Sequence, residues 1–327
     1  MTDLVEKFLE ELDHESKQSP ERLEILRRLV MRVIELAELD SDTSDLRIAS
    51  TALNELLEAS QLFAAWKERP KLTVFGSART RNDSPLYEMA RLFSAEMARR
   101  GWMTVSGAGP GIMEASSKGA GKEWTLGVNI ELPFEQGANE FIDVDQMHVA
   151  MKFFFTRKVA MTRSSHGFVA FPGGVGTMDE LFEVLTLVHT GKSDPAPIVL
   201  VDQPGGTFWT RWLDFIDECV IADGYLDDVD KCLFVLCTTV EDAIGEVERF
   251  YRNYRAFSMD SGRACVKVHQ LPNAEQLEQL ERKYPRFSLD DGFRIENDDE
   301  FSFTFDGRNY VSLRMLIDDV NAWVDHN

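Results

Sequence analysis

Glycines, a hydroxyl and a carboxylate crowd the run Phe171-Pro172-Gly173-Gly174-Val175-Gly176-Thr177-Met178-Asp179-Glu180. A short apolar run, residues 166–171, precedes it and an amphipathic run, residues 181–189, follows. That order predicts a strand, a tight turn and the start of a helix. The glycines let the backbone pass close to a ligand, and Thr177 adds a hydroxyl. The first-turn N–H groups lack intrahelical partners and carry the positive end of the helix dipole, so they favour an anion such as phosphate. Glu180 lies about one turn further in, where a bound phosphate would repel it. A carboxylate kept there implies a reacting centre beside the phosphate seat.

A second cluster lies upstream. Lys152, Arg157 and Lys158 stand together in a chain of net charge −21. Two basic residues on a helix are ordinarily solvated surface, but these precede the anion-binding turn. Ser77, after the first strand, is a candidate hydrogen-bond donor or a helix cap. Ser106–Gly111 looks like a dinucleotide glycine loop. The acid that should end the next strand is represented only by Glu131, followed by Pro133, so dinucleotide binding is the minor reading. Gly107 and Gly109 then serve a tight turn and line the cleft.

These side chains need a scaffold that gathers turns from distant parts of the chain. Strand and helix patterns alternate from residue 70 onward. Strands are expected at 71–75, 102–105, 125–130, 166–171, 197–201 and 233–236, with a short one at 141–144. Helices are expected at 85–100, 149–161, 207–221 and 240–254. This is the pattern of an α/β, doubly wound parallel sheet, whose ligands sit beyond the carboxyl ends of the strands. Residues 1–68 read as a helical N-terminal extension, with apolar positions at helical spacing and a start signal at Ser19-Pro20-Glu21. Residues 69–257 read as the Rossmann-like domain that would bind a nucleotide and carry any catalysis, and 258–327 as a small α+β C-terminal appendage. In the appendage, 301–305 and 310–313 alternate around Asp306-Gly307 and predict a hairpin, before a helix over 313–324.

Composition narrows the function classes. The 327 residues are 44% hydrophobic and 28% charged, ordinary for a globular protein. The acidic balance argues against nucleic acid or an anionic membrane as partner. Cys219, Cys232, Cys237 and Cys265 form no C-x-x-C pair and read as buried free thiols of a reducing, cytoplasmic setting. The six histidines lack metal-ligand spacing, so no metal is expected. Met1–Glu11 has no signal-peptide core, and no run reaches the length of a membrane span.

PGGVGTMDE resembles the PGGxGTxxE motif of the LOG (Lonely Guy) family, phosphoribohydrolases of nucleoside 5′-monophosphates. FFFTRKVAM at 153–161 is similar to that family's Arg-Lys helix, and FGSAR at 75–79 and SGAGPGIMEA at 106–115 to its first two loops. Ala108 stands where a glycine is expected. The resemblance covers roughly residues 70–255 and implies a Rossmann-like fold, a substrate such as AMP or an N6-modified adenine nucleotide, and a homo-oligomer. It implies catalysis by Arg157 and Glu180, phosphate binding by Gly173, Gly174, Gly176 and Thr177, and substrate contacts from Ser77, Gly107, Gly109 and Lys158. Arg157 would bind phosphate or ribose oxygens and hold Glu180 ionised. No metal or redox cofactor is required. Some relatives carry a lysine decarboxylase label, but Lys158 alone supplies no pyridoxal-phosphate constellation. The other reading is a non-catalytic nucleotide- or cofactor-binding protein on the same fold.

Overall fold

A computed structural model describes residues 5–11, 19–39, 42–132, 137–260, 262–288 and 292–324. The chain divides into two compact units, Met1–Leu57 and Glu58–Asn327. The first unit is helical: α1 is Pro20–Glu38 and α2, Thr43–Ala64, runs on into the second unit. Ser19 caps α1, its hydroxyl accepting from Arg22 N, with proline in the first turn.

The second unit is built on a parallel sheet. Its strands are β1 (Lys71–Phe75), β2 (Met103–Ser106), β3 (Thr125–Ile130), β4 (His148–Met151), β5 (Gly167–Ala170), β6 (Ile198–Val201) and β7 (Phe234–Cys237). The 7-stranded sheet has the order β4-β3-β2-β1-β5-β6-β7. Every pair in it is parallel. β1 and β2 are buried throughout, as strands covered on both faces must be. Between the strands run α3 (Pro85–Arg99), α4 (Ile112–Ala120), α5 (Phe154–Arg163), α6 (Val175–His189), α7 (Phe208–Phe215) and α8 (Val240–Phe250). Side-chain alternation assigns the two faces. Phe75, Phe168, Leu126 and Leu200 pack with Met161, Leu181, Val184 and Trp209 of α5, α6 and α7. Leu72, Val74, Val169 and Val199 pack with Phe93, Met97, Ile112 and Val247 of α3, α4 and α8. Each fully buried side chain of this size contributes about 2–3 kcal/mol.

The chain builds β1 to β4 toward one edge, then returns to add β5 to β7 on the other side of β1. Connections therefore diverge between β1 and β5, and the crevice beyond their carboxyl ends is where an open α/β sheet takes its ligand. The turns at Gly76–Arg79 and Phe171–Gly174 flank that crevice.

Four local expectations are overturned. Residues 141–144 form turns, and the strand lies later, at His148–Met151, paired with β3. The following helix starts at Phe154 rather than Val149, because Phe153 is extended at φ −107° and ψ 133°. In the C-terminal part, no hairpin forms at Asp306-Gly307. Asn309 accepts from Ser312 N at 3.0 Å and caps a helix, α10, over Tyr310–Ala322. The stretch 301–305 instead belongs to β11 (Glu300–Thr304) of an antiparallel sheet, with β8 (Tyr254–Asp260), β9 (Arg263–Val268) and β10 (Arg294–Asn297). Its order is β10-β11-β9-β8. The helix expected over 240–254 gives way to β8 at Tyr254. This sheet, α9 (Ala274–Lys283) and α10 share a core of Phe287, Phe301, Phe303, Leu316 and Ile317. Arg314 of α10 joins it to the larger sheet, with Nη2 at 3.4 Å from Glu246 of α8 and its guanidinium 4.8 Å from the Phe250 ring centre. Of the cysteines, only Cys237 is buried, and Cys219 is exposed.

Candidate functional site

Three turns meet at the crevice through backbone bonds centred on Ser77. Its N–H donates to the Pro172 carbonyl at 3.2 Å, and its carbonyl accepts from Ile112 N at 3.1 Å. The Ser77 hydroxyl accepts from Arg79 N at 3.0 Å, so it shapes its own turn and keeps its proton for a ligand. Gly111, at φ +68°, lies against the Ser77 and Ala78 backbone, where a Cβ has no room.

Arg157 on α5 points into this assembly. Its Nε donates to the Val128 carbonyl of β3 at 2.9 Å, and its Nη1 donates to Glu180 Oε1 at 2.9 Å. The two side chains are 8% and 12% exposed. Helix α5 places the arginine and α6 the acid, so packing of both helices on one face of the sheet fixes the pair. Burial pushes the Glu180 carboxyl above its ordinary value, and the Arg157 charge works against that shift without overcoming it. The expectation that Arg157 simply holds Glu180 ionised is corrected accordingly: desolvation is the larger influence. A carboxyl raised in this way is poised to exchange a proton nearer neutrality.

The turn before α6 leaves its helix end open. Gly174 is the N-cap residue and makes no side-chain cap bond, and the first turn holds no acid. By contrast α1, α3, α4, α8 and α9 each carry an acid there. Thr177 is buried, and Gly173 lies directly against its hydroxyl. A Cβ on Gly174 or Gly176 would meet no atom within 4 Å.

Gly107 lies under the Arg157 guanidinium, whose Nη2 occupies the space a Cβ would take. Gly109 lies against Met113 Cε. Lys158 lines a small void with Phe75, Glu180 and Glu183. Its ammonium binds Asp179 at 3.0 Å and Glu183, and although burial disfavours its charge, these acids hold it above the usual lysine range. The structure thus brings Arg157, Glu180, Gly107 and the 173–177 turn to one crevice, with Lys158 beside Glu180 but engaged by Asp179 and Glu183.

Asn139 was not foreseen. Its Nδ2 donates to the Ala108 and Gly109 carbonyls, each at 3.1 Å, and its N–H donates to the Ala108 carbonyl at 2.9 Å. It thereby holds Ala108 at φ +61°, a conformation costly for a side-chain-bearing residue. Glu114 was also missed; its carboxylate accepts from Tyr87 Oη at 2.7 Å. The only sequence signal for Asn139 is a polar residue in an irregular stretch.

Comparison with known proteins now bears on this geometry. A family model described as "possible lysine decarboxylase" matches residues 99–247. The cytokinin riboside 5′-monophosphate phosphoribohydrolase of Mycobacterium tuberculosis is 33% identical over 170 residues, which covers 49% of this chain and 83% of that enzyme. This chain belongs to the LOG family. The enzyme of the same name from Mycobacterium marinum is 29% identical over 165 residues, again covering 83% of that relative. A solved structure of the molybdenum cofactor carrier protein of Chlamydomonas reinhardtii is 24% identical, covers 56% of this chain and 98% of its own, and superposes with a TM-score of 0.39. LOG membership makes the chain an N-glycosidic hydrolase. The decarboxylase wording does not fit the site. Lys158 is held charged between two carboxylates, whereas a Schiff base requires a neutral amine.

Proposed function

We propose that this LOG protein hydrolyses the N-glycosidic bond of a nucleoside 5′-monophosphate, AMP or an N6-modified adenine nucleotide, to the free base and ribose 5-phosphate. The observation that carries the reading is the buried Arg157–Glu180 pair beside a helix end left open for an anion. The relatives from the two mycobacteria are named for that activity on cytokinin riboside 5′-monophosphates.

The 5′-phosphate sits on the N–H groups of the 173–177 turn, with the Thr177 hydroxyl adding a donor. That anchor brings C1′ toward Glu180 and turns a bimolecular encounter into a positioned one. As the C1′–N bond lengthens, positive charge builds on the ribose ring, as in glycoside hydrolysis, and the carboxylate stabilises it. Glu180 takes a proton from the attacking water. The hydroxide oxygen bonds to C1′, and the electron pair of the broken bond leaves with the base, which gains a proton. Arg157, fixed by the Val128 carbonyl, presents its remaining donors to ribose or phosphate oxygens.

The test is a chromatographic screen of nucleoside 5′-monophosphates, with the unphosphorylated nucleosides as controls. Release of base and ribose 5-phosphate from AMP but not from adenosine is the expected result. Intact monophosphates throughout, or equal release from adenosine, would overturn the reading.

A further inference from the structure

Among the described residues Ala108 is the one non-glycine residue at positive φ, +61°. An L side chain there crowds the following carbonyl oxygen, and such strain persists only where the surroundings over-determine it. Two restraints hold it. The Ala108 methyl is buried over Gly127 of β3, where Ile142 also packs. Asn139 supplies the other. Its N–H donates to the Ala108 carbonyl at 2.9 Å, and its Nδ2 donates to the Ala108 and Gly109 carbonyls, each at 3.1 Å. Asn139 is itself fixed in a turn: Oδ1 accepts from Phe141 N and the backbone carbonyl from Ile142 N, both at 3.2 Å. A side-chain amide supplies these donors and this acceptor together, whereas a carboxylate would set oxygen against two carbonyls.

The residue before Ala108 touches the reacting centre. Arg157 Nη2 occupies the space beside Gly107. The Val128 carbonyl fixes one corner of the guanidinium through Nε. Gly107 is the surface on which the corner at Nη2 rests, and Nη1 then meets Glu180 at 2.9 Å. A return of φ at residue 108 to negative values turns the 107–108 peptide, and Gly107 no longer fits beneath Nη2.

We infer that Asn139 is a positioning residue for the Arg157–Glu180 pair. It holds Ala108, Ala108 holds Gly107, and Gly107 sets the guanidinium. The effect on turnover rests on the hydrolase reading; the placement of Arg157 does not. Glycine adopts positive φ without that crowding, so Ala108→Gly should remove the need for Asn139.

The experiment compares the intact wild type with Asn139→Ala, Ala108→Gly and Asn139→Ala/Ala108→Gly, at a temperature where circular dichroism finds each folded. Asn139→Ser, which keeps one donor, runs alongside as the milder change. Two quantities are read. One is kcat and KM for base release from AMP. The other is the Arg157 Nε–H resonance in protein carrying isotope-labelled arginine, assigned with Arg157→Lys. Asn139→Ala should lower kcat about tenfold, with KM held within about twofold, and shift the Arg157 resonance. In the Ala108→Gly background the same change should cost less than about threefold in kcat and leave the resonance in place. An unaltered kcat and resonance in folded Asn139→Ala overturn the inference and leave Asn139 a stability residue. Equal losses in both backgrounds overturn the route through Ala108. A raised KM with kcat kept makes Asn139 a substrate contact and overturns positioning. If the wild type releases no base from any monophosphate, the hydrolase reading fails, and the resonance still decides whether Asn139 holds Arg157.

Discussion

The two glycine turns beside the crevice are alike in composition and opposite in use. After β2, the space beside each glycine is filled by the protein's own atoms: Arg157 Nη2 at Gly107, Met113 at Gly109 and the Ser77 carbonyl at Gly111. After β5, only Gly173 is crowded, by Thr177, while Gly174 and Gly176 face open space. The first turn needs glycine so that the fold can close on an arginine. The second has two glycines that the fold itself does not need. At these two positions no side chain stands over the backbone at the start of α6, which is the access that the proposed phosphate seat requires.

The contrast can be broken at several points. The largest effect is expected from Glu180→Gln, which removes the base: release of adenine from AMP falls on the order of 10³-fold, while equilibrium dialysis still finds AMP bound. A normal rate would remove Glu180 from the chemistry. Gly107→Ala should follow, because its methyl displaces the Arg157 guanidinium. Here kcat drops about 100-fold and stability falls by about 1–3 kcal/mol, read together from kinetics and urea melts. Gly174→Ala and Gly176→Ala should behave differently. Urea melts should change by less than about 1 kcal/mol, while KM for AMP rises about tenfold as the methyl obstructs a hydrogen bond to a charged ligand. If these two lose stability as Gly107→Ala does, the distinction between the turns is gone.

The smallest effect is a displacement along the pH axis. Burial raises the Glu180 carboxyl above the usual glutamate value of 4.5. A base must be ionised, so kcat/KM should fall on the acid side at a pH above 4.5, and Glu180→Gln should lack that limb. The same shift has a folding consequence. The folded chain holds this proton more tightly than the unfolded one, so the stabilising contribution is present below 4.5 and is lost as pH rises through the folded value. An acid limb below 4.5 would show that Arg157 outweighs burial.

Much of this was legible in the residues. β5, β6 and β7 are continuous apolar runs, and β1, β2 and β3 are short β-branched and apolar stretches next to glycine turns, the mark that strands of a covered parallel sheet leave. The 173–177 turn was legible because glycine spacing and a helix start are local properties. β4 was not. It is a four-residue edge strand with alternate positions buried, and His148-Val149-Ala150-Met151 fits a helix as well as a strand until β3 is beside it. The false hairpin at Asp306-Gly307 has the same origin. Tyr310–Leu313 alternates for too few residues to decide between periods, and the Asn309 cap settles it as helix. Arg157 and Glu180 were found as residue types, but their balance of burial against charge depends on packing from both α5 and α6. Asn139 was out of reach because its partners are backbone carbonyls 30 and 31 positions away.

Arg314 has a bearing on how far the chain can be shortened. It is 2% exposed and joins Glu246, Asp318 and the Leu233 carbonyl across the seam between the two sheets. Severing the polypeptide after residue 257 would spare every side chain assigned to the crevice, yet strip Glu246 of that countercharge and bare the apolar ground α10 covers. Glu246 would keep its pair with Arg249 but lose its second cation at a buried position. The C-terminal part is thus no detachable module, and bringing this protein down to the size of its smaller kin would first demand polar replacements for the apolar side chains, Phe250 and Tyr254 among them, that α10 now covers.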